Sequence, residues 1–253
     1  MSLLVVRDLC KTFGGVTAAR DVSFSVDAAE MVAIIGPNGA GKSTVFNMIG
    51  GQLLPDRGTV RLDGIPITAL SPRERFRRGV GRTFQVAQTF LSMTVVEIVQ
   101  MALISQGAET RGLWKPARRH HRGEALELLD QVGLGDAADH ACSILAYGDV
   151  KRLELAIALA SRPKLLLMDE PTAGMASRER TDLMALTASL TATQNIGVLF
   201  TEHDMDVVFD HARRVLVLVR GEIIAAGAPN EVRGDPRVQQ AYLGDAPALE
   251  PIR

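Results

Sequence analysis

Cysteine is almost missing from this 253-residue chain. Cys10 and Cys142 are too few and too far apart for a disulfide framework or a metal-ligand set, and they read as reduced thiols of a cytosolic protein. Aromatic residues make up only 4%, which leaves few platforms for stacking bases. No sign of charge dominates either: 28 basic side chains meet 29 acidic ones, for a formal net charge of -1. That balance argues against a nucleic-acid partner held by phosphate neutralisation. No apolar run reaches the ~20 residues that span a bilayer, and the longest, such as Val215 to Val219, are strand-length. The opening MSLLVVRDLCKTF interrupts its apolar run with Arg7, Asp8 and Lys11 and does not read as a signal peptide. Service at a membrane would therefore run through a partner.

What is present is ordinary globular material. With 47% hydrophobic and 23% charged residues, disorder is excluded, and the length suits one large domain or two small ones. Val22, Phe24 and Val26 alternate as in a half-buried strand. Met31 to Ile35 is a continuous apolar strand, followed by a glycine-rich turn and a helix from Thr44 to Ile49. Thr59 to Leu62 is a strand closed by the turn pair Asp63-Gly64. Ser71-Pro72-Arg73-Glu74 starts a short helix, with a cap, a proline at the first position and a glutamate at the third. The stretch from about Thr94 to Ser161 is helical, opened by a second capping box, Thr94 with Glu97. Strand and helix then alternate: Leu165 to Met168, Ser177 to Leu190, Gly197 to Thr201 and Val215 to Val219. Two short helices, Asn230 to Arg233 and Pro236 to Leu243, precede a frayed end. This pattern predicts an α/β fold with a mainly parallel sheet, a β-rich N-terminal piece and an inserted helical subdomain at about 90–160. The domain is expected to cover 1–244, with 245–253 as a tail. The basic stretches Arg73 to Arg78 and Arg111 to Arg122 read as solvated faces, since neither shows a clear apolar side.

Two motifs carry chemistry. Gly36-Pro37-Asn38-Gly39-Ala40-Gly41-Lys42-Ser43, followed by Thr44, fits G-x-x-x-x-G-K-[ST] between a strand and a helix. Glycines let backbone N–H groups approach phosphate oxygens, Lys42 reaches the outer phosphates, and Ser43 can ligate Mg²⁺. A glycine-rich turn with a surface lysine would not need that strand–turn–helix setting. The apolar strand Leu165 to Met168 ends in Asp169-Glu170. Beside a phosphate loop, the first carboxylate suits Mg²⁺ and the second suits a general base for the attacking water.

Three more segments complete a resemblance. They are Gly81-Arg82-Thr83-Phe84-Gln85, Leu145-Ala146-Tyr147-Gly148-Asp149, and Thr201-Glu202-His203-Asp204. In order and spacing they resemble the Q-loop, signature motif and switch histidine of ABC transporter nucleotide-binding domains, over roughly Leu3 to Gly244. The resemblance implies a P-loop NTPase (RecA-like) core with an N-terminal antiparallel β subdomain. It implies ATP and Mg²⁺ bound in a head-to-tail dimer, with Gln85 and His203 acting beside Glu170, and Ser43, Gln85 and Asp169 serving the metal. The partner subunit's phosphates would meet Ala146, Tyr147, Gly148 and Asp149. Phe13 matches the aromatic that stacks on adenine, although a core role fits a lone phenylalanine equally well. Implied partners are transmembrane permease subunits, a second ATPase subunit (the same chain or another) and, indirectly, a solute-binding protein. The expected location is peripheral, at the cytoplasmic face of the inner (plasma) membrane.

Two departures from the family pattern stand out. Ala146 and Tyr147 replace the usual serine and glycine of the signature, and Asp149 replaces its glutamine. The segment Pro171 to Ser177 lacks the usual Asp or Asn of the loop that talks across the dimer. Both weaken the site to which this chain lends its signature. Leu-Ala-Tyr-Gly-Asp, Gly79 to Gln85, the insert around Trp114 and Asp235-Pro236-Arg237-Val238 with Ala241-Tyr242-Leu243-Gly244 look like the larger ATPase subunit of branched-chain amino-acid importers. Members of that branch also serve importers of urea, amides and aromatic acids. A soluble ABC ATPase of DNA repair or translation would need coiled coils or tandem cassettes, and a P-loop kinase would lack the signature helix.

Overall fold

Four strands with two unbroken apolar faces form the centre of the protein. A computed structural model describes residues 2–83, 92–106 and 121–243. In β3 (Met31–Ile35), β7 (Leu165–Asp169), β8 (Gly197–Thr201) and β9 (Arg214–Val219), successive residues enter different cores. Val32 and Ile34 face one cluster, while Met31, Ala33 and Ile35 face the other. Burial on both faces is why these segments read as continuous hydrophobic runs. With β6 (Val80–Arg82) and β10 (Glu222–Gly227) they form a six-stranded sheet in the order β10-β9-β3-β8-β7-β6. All neighbours are parallel except the β9–β10 hairpin.

The N-terminal strands β1 (Leu4–Phe13) and β2 (Val16–Val26) pair with β4 (Arg57–Leu62) and β5 (Ile65–Pro66) in an antiparallel sheet, order β2-β1-β4-β5. The Asp63-Gly64 turn closes β4–β5 with both residues at positive φ, 53° and 75°. Helix α1 (Lys42–Gly50) lies between the two sheets and buries Val45, Phe46, Met48 and Ile49. On the far side of the large sheet, α3 (Val95–Gln106), α4 (Arg122–Gln131), α5 (Tyr147–Leu159) and α6 (Ser177–Gln194) share the second cluster. The Thr94–Glu97 capping box is formed, with N–H to carboxylate at 3.0 Å.

Three elements were not foreseen from the sequence. Strand β6 is only three residues long, with Gly81 packed so closely on Pro163 that a Cβ would lie 2.9 Å away. Helix α7 (Met205–His211) is short and relies on Asp204, whose side chain accepts from the N–H groups of Asp206 and Val207. Strand β10 lacks a clean alternation. The basic stretch Arg73 to Arg78 needs a correction. Helix α2 (Pro72–Arg77) starts at its capping box as expected, but Arg75 is fully buried. Its guanidinium donates to the carbonyls of Met48 (2.5 Å), Ile49 (2.6 Å), Thr68 (2.6 Å) and Leu70 (3.0 Å). The last carbonyls of a helix have no partner within it, and Arg75 supplies one for α1. The second basic stretch falls mostly outside the described residues, as do Trp114 and the tail 245–253. Helices α8 (Pro229–Gly234) and α9 (Pro236–Leu243) end the described chain.

Candidate active site

The glycine-rich loop between β3 and α1 exists because side chains would not fit. A Cβ on Gly36 would sit 2.1 Å from the Leu218 carbonyl oxygen, and one on Gly41 2.2 Å from that of Ala18. Gly41 caps α1 with φ 105°, supplies no side-chain acceptor, and no acid follows in the first turn. The first N–H groups of α1 are thus left to an anionic ligand, and the helix dipole favours one. Lys42 folds back over the loop, its ammonium donating to the carbonyls of Gly36 (2.7 Å) and Pro37 (3.2 Å). Burial holds its pKa below the ordinary lysine value, while the negative charges of Glu170 and Asp169 oppose that shift.

Those two acids arrive at the end of β7. Asp169 accepts from the Thr201 hydroxyl at 2.7 Å and from Arg82 at 3.3 Å, and Arg82 also reaches Asn47 on α1 at 2.9 Å. Glu170 sits at φ 48°, a sparsely populated region for a side chain of this size. Its N–H donates to both the carbonyl (3.2 Å) and hydroxyl (3.1 Å) of Thr201. Its carboxylate meets His203 Nε2 at 2.7 Å, and both side chains remain solvent-accessible. The structure therefore brings together the expected pair from β7 and the residues after β8.

A cleft of about 730 Å³ joins these parts, lined among others by Ser43, Arg82, Asp169, Glu170 and Tyr147. Ala146 is the N-cap of α5 and offers no side-chain acceptor, while Tyr147, Gly148 and Asp149 form the first turn. Phe13 lies at the β1–β2 hairpin, 47% exposed, with the Lys11 ammonium 5.6 Å from its ring centre. That exposure disfavours a core role. Gln85 lies outside the described residues.

Sequence reasoning missed Glu202. This carboxylate is buried; one oxygen accepts from the N–H (2.9 Å) and hydroxyl (2.7 Å) of Thr172, the other from the N–H of His203 (3.2 Å). One side chain thus fixes the loop after Glu170 and the backbone of His203 together. An acid directly after an apolar strand, with a threonine close behind the other acidic pair, was the available signal.

Family comparison bears on the same residues. The model described as "ABC transporter" matches residues 19–173, more than half of the chain, and spans both the phosphate loop and the acidic pair. The chain belongs to the ABC transporter family. It is an ATPase built on the P-loop NTPase fold. A second model, "Branched-chain amino acid ATP-binding cassette transporter", matches residues 222–248 of this ABC ATPase. The cassette is 40% identical to the high-affinity branched-chain amino acid transport ATP-binding protein BraF of Pseudomonas aeruginosa, over 96% of this chain and 98% of the relative. It is 38% identical to LivG of Escherichia coli K12, a protein of the same description, with the same coverage. The lipopolysaccharide export ATP-binding protein LptB of Haemophilus influenzae is 34% identical over 97% of this chain and 98% of its own. Among solved structures, an ABC transporter cassette in its ADP conformation superposes with a TM-score of 0.88 at 33% identity, covering 97% of this chain and 100% of the other. A dimeric cassette with ADP and Pi reaches 0.74 at 29% identity, covering 89% and 98%.

Proposed function

We propose that this ABC ATPase powers uptake of branched-chain amino acids through a membrane permease. The observation that carries the catalytic part is the Glu170–His203 contact at 2.7 Å beside the phosphate loop. Two relatives named for branched-chain amino acid transport, together with the C-terminal match at 222–248, support the substrate class.

Each residue has a role that follows from its setting. The N–H groups of Gly39 to Thr44 and the N-terminal end of α1 receive the phosphates of ATP. Lys42 exchanges the carbonyls of Gly36 and Pro37 for phosphate oxygens, which accept more strongly because they are charged. Glu170 takes the proton of the attacking water, and His203 holds that carboxylate in line while its ring is near the terminal phosphate. Phe13 offers its exposed ring to the adenine, and Gln85 is assigned to the same site on family resemblance. The Ser43 hydroxyl and the Asp169 carboxylate are an oxygen-only donor pair on one cleft, which suits Mg²⁺. When bound, that ion would neutralise charge on the phosphate oxygens.

The uncapped first turn at Ala146 to Asp149 faces a phosphate of a second ATPase subunit. The missing serine hydroxyl makes that shared site weaker, so a pair with a different, complete partner is favoured. Among the described residues no helix is long and apolar enough to cross a membrane, which accords with a peripheral subunit at the cytoplasmic face. The test is uptake by the purified complex of this chain, its permease, its second ATPase subunit and its solute-binding protein in vesicles. Leucine entry that requires ATP supports the proposal. Entry of urea or amides with no leucine entry would move it to a sister importer.

A further inference from the structure

We propose that Tyr147 is a positioning residue for hydrolysis, tying the first turn of α5 to the backbone that carries Glu170. The proposal rests on Glu170 being the general base. A glutamate at φ 48° keeps that conformation only if its neighbours over-determine it. On the N–H side, Thr201 does so with two hydrogen bonds. On the carbonyl side, the partner is the N–H of Ala173, at 3.2 Å. Ala173 lies in an exposed turn, and its own carbonyl receives the Tyr147 hydroxyl at 3.0 Å. Two hydrogen bonds in series therefore run from the signature turn to the peptide of the base.

The ring is placed to hold that link. Gly174, at φ 80°, packs on it so that an added Cβ would lie 3.5 Å from both ring carbon and hydroxyl. From the next turn of α5, Lys151 brings its ammonium to 5.6 Å from the ring centre and pairs with Glu154 at 3.1 Å. Thr172, between Glu170 and Ala173, is anchored independently to buried Glu202. A shift of the α5 turn is thus confined to Ala173 and Gly174 and passes to the Glu170 carbonyl. In a dimer whose second subunit presents a phosphate to that turn, the device makes the geometry of each base sensitive to the neighbouring site.

The experiment is Tyr147→Phe in the assembled transporter, which keeps the ring against Gly174 and Lys151 and removes only the donor. Loss of one half-exposed hydrogen bond predicts a three- to fivefold lower maximal hydrolysis rate, roughly the weight of a single such bond. ATP affinity stays at its wild-type value, the melting temperature falls by only about 2 °C, and the Hill coefficient for ATP falls towards one. In a Glu170→Gln background, where the carboxylate is already gone, the same change lowers the residual rate no further. An unchanged rate in Tyr147→Phe overturns the proposal. So does an equal proportional loss in both backgrounds, or a loss of affinity that matches the loss of rate, which would mean the phenol grips nucleotide directly. Normal turnover by Glu170→Gln alone would instead sink the assignment of the base.

Discussion

Replacing Arg75 by methionine tests whether a buried cation caps α1. Methionine keeps most of the side chain's length and apolar stem while removing all donors. Four carbonyls lose their partner, those of Met48 and Ile49 in the buried last turn of α1 and those of Thr68 and Leu70 nearer the surface. An unsatisfied buried acceptor costs about 1–3 kcal/mol, and the two outer carbonyls regain water at roughly a third of that. The expected destabilisation is therefore about 5 kcal/mol. For a domain of this size that corresponds to a melting temperature lower by roughly 15 °C. Burial brings the Arg75 pKa down to about 10, so the group is still charged at neutral pH and its bonds are charge-assisted. Arg75→Lys should recover only part of the loss, because a single ammonium cannot serve four acceptors spread around a planar fork. Urea unfolding with tryptophan fluorescence or circular dichroism reads both variants. A loss below about 1 kcal/mol in Arg75→Met would refute the capping argument, given the weight of even one such acceptor.

Lys42→Ala should weaken ATP binding about a hundredfold, the weight of one charge-assisted contact of roughly 2.7 kcal/mol; unchanged affinity by calorimetry would contradict the phosphate-loop assignment. Thiol labelling of the native chain at pH 7.5 should modify Cys10 and spare Cys142. Cys142 is buried, and burial raises its pKa, so less of it is thiolate at any given pH. Both should react in denaturant, and rapid labelling of two thiols in the folded chain would be inconsistent with this packing. The isolated chain should hydrolyse ATP weakly and gain activity when mixed with a second ATPase subunit. Equal activity alone and in the mixture would argue for a homodimer.

The parts of the fold that were legible in the sequence are those where one physical cause dominates. Strands β3, β7, β8 and β9 were visible because burial on both faces makes their residues uniformly apolar. Helix α2 was visible because Ser71 and Glu74 cap it reciprocally, as the contacts of 2.8 Å and 3.4 Å show. The glycine-rich loop was visible because Gly36 and Gly41 answer to close backbone approaches and Gly39 to a positive φ of 77°. What stayed hidden depends on partners remote in sequence. Arg75 looks like one member of a basic run, and only the α1 carbonyls some 26 and 27 positions earlier make it a core residue. Glu202 reaches back 30 residues to Thr172, and Tyr147 reaches 26 forward to Ala173. Neither spacing matches a helix or strand period, so neither leaves a pattern to read. The direct contact of His203 with Glu170 was expected from family resemblance, and the geometry of β7 and β8, adjacent and parallel, is what brings the two together.

The central claim is that Glu170 activates water in an ATP site built by the phosphate loop, and Glu170→Gln tests it most directly. The amide keeps the shape and the reach towards His203 but cannot take a proton. The account predicts ATP affinity within about twofold of wild type, hydrolysis reduced at least about a hundredfold, and accumulation of an ATP-bound dimer visible by light scattering. Hydrolysis at the wild-type rate in that variant would contradict it.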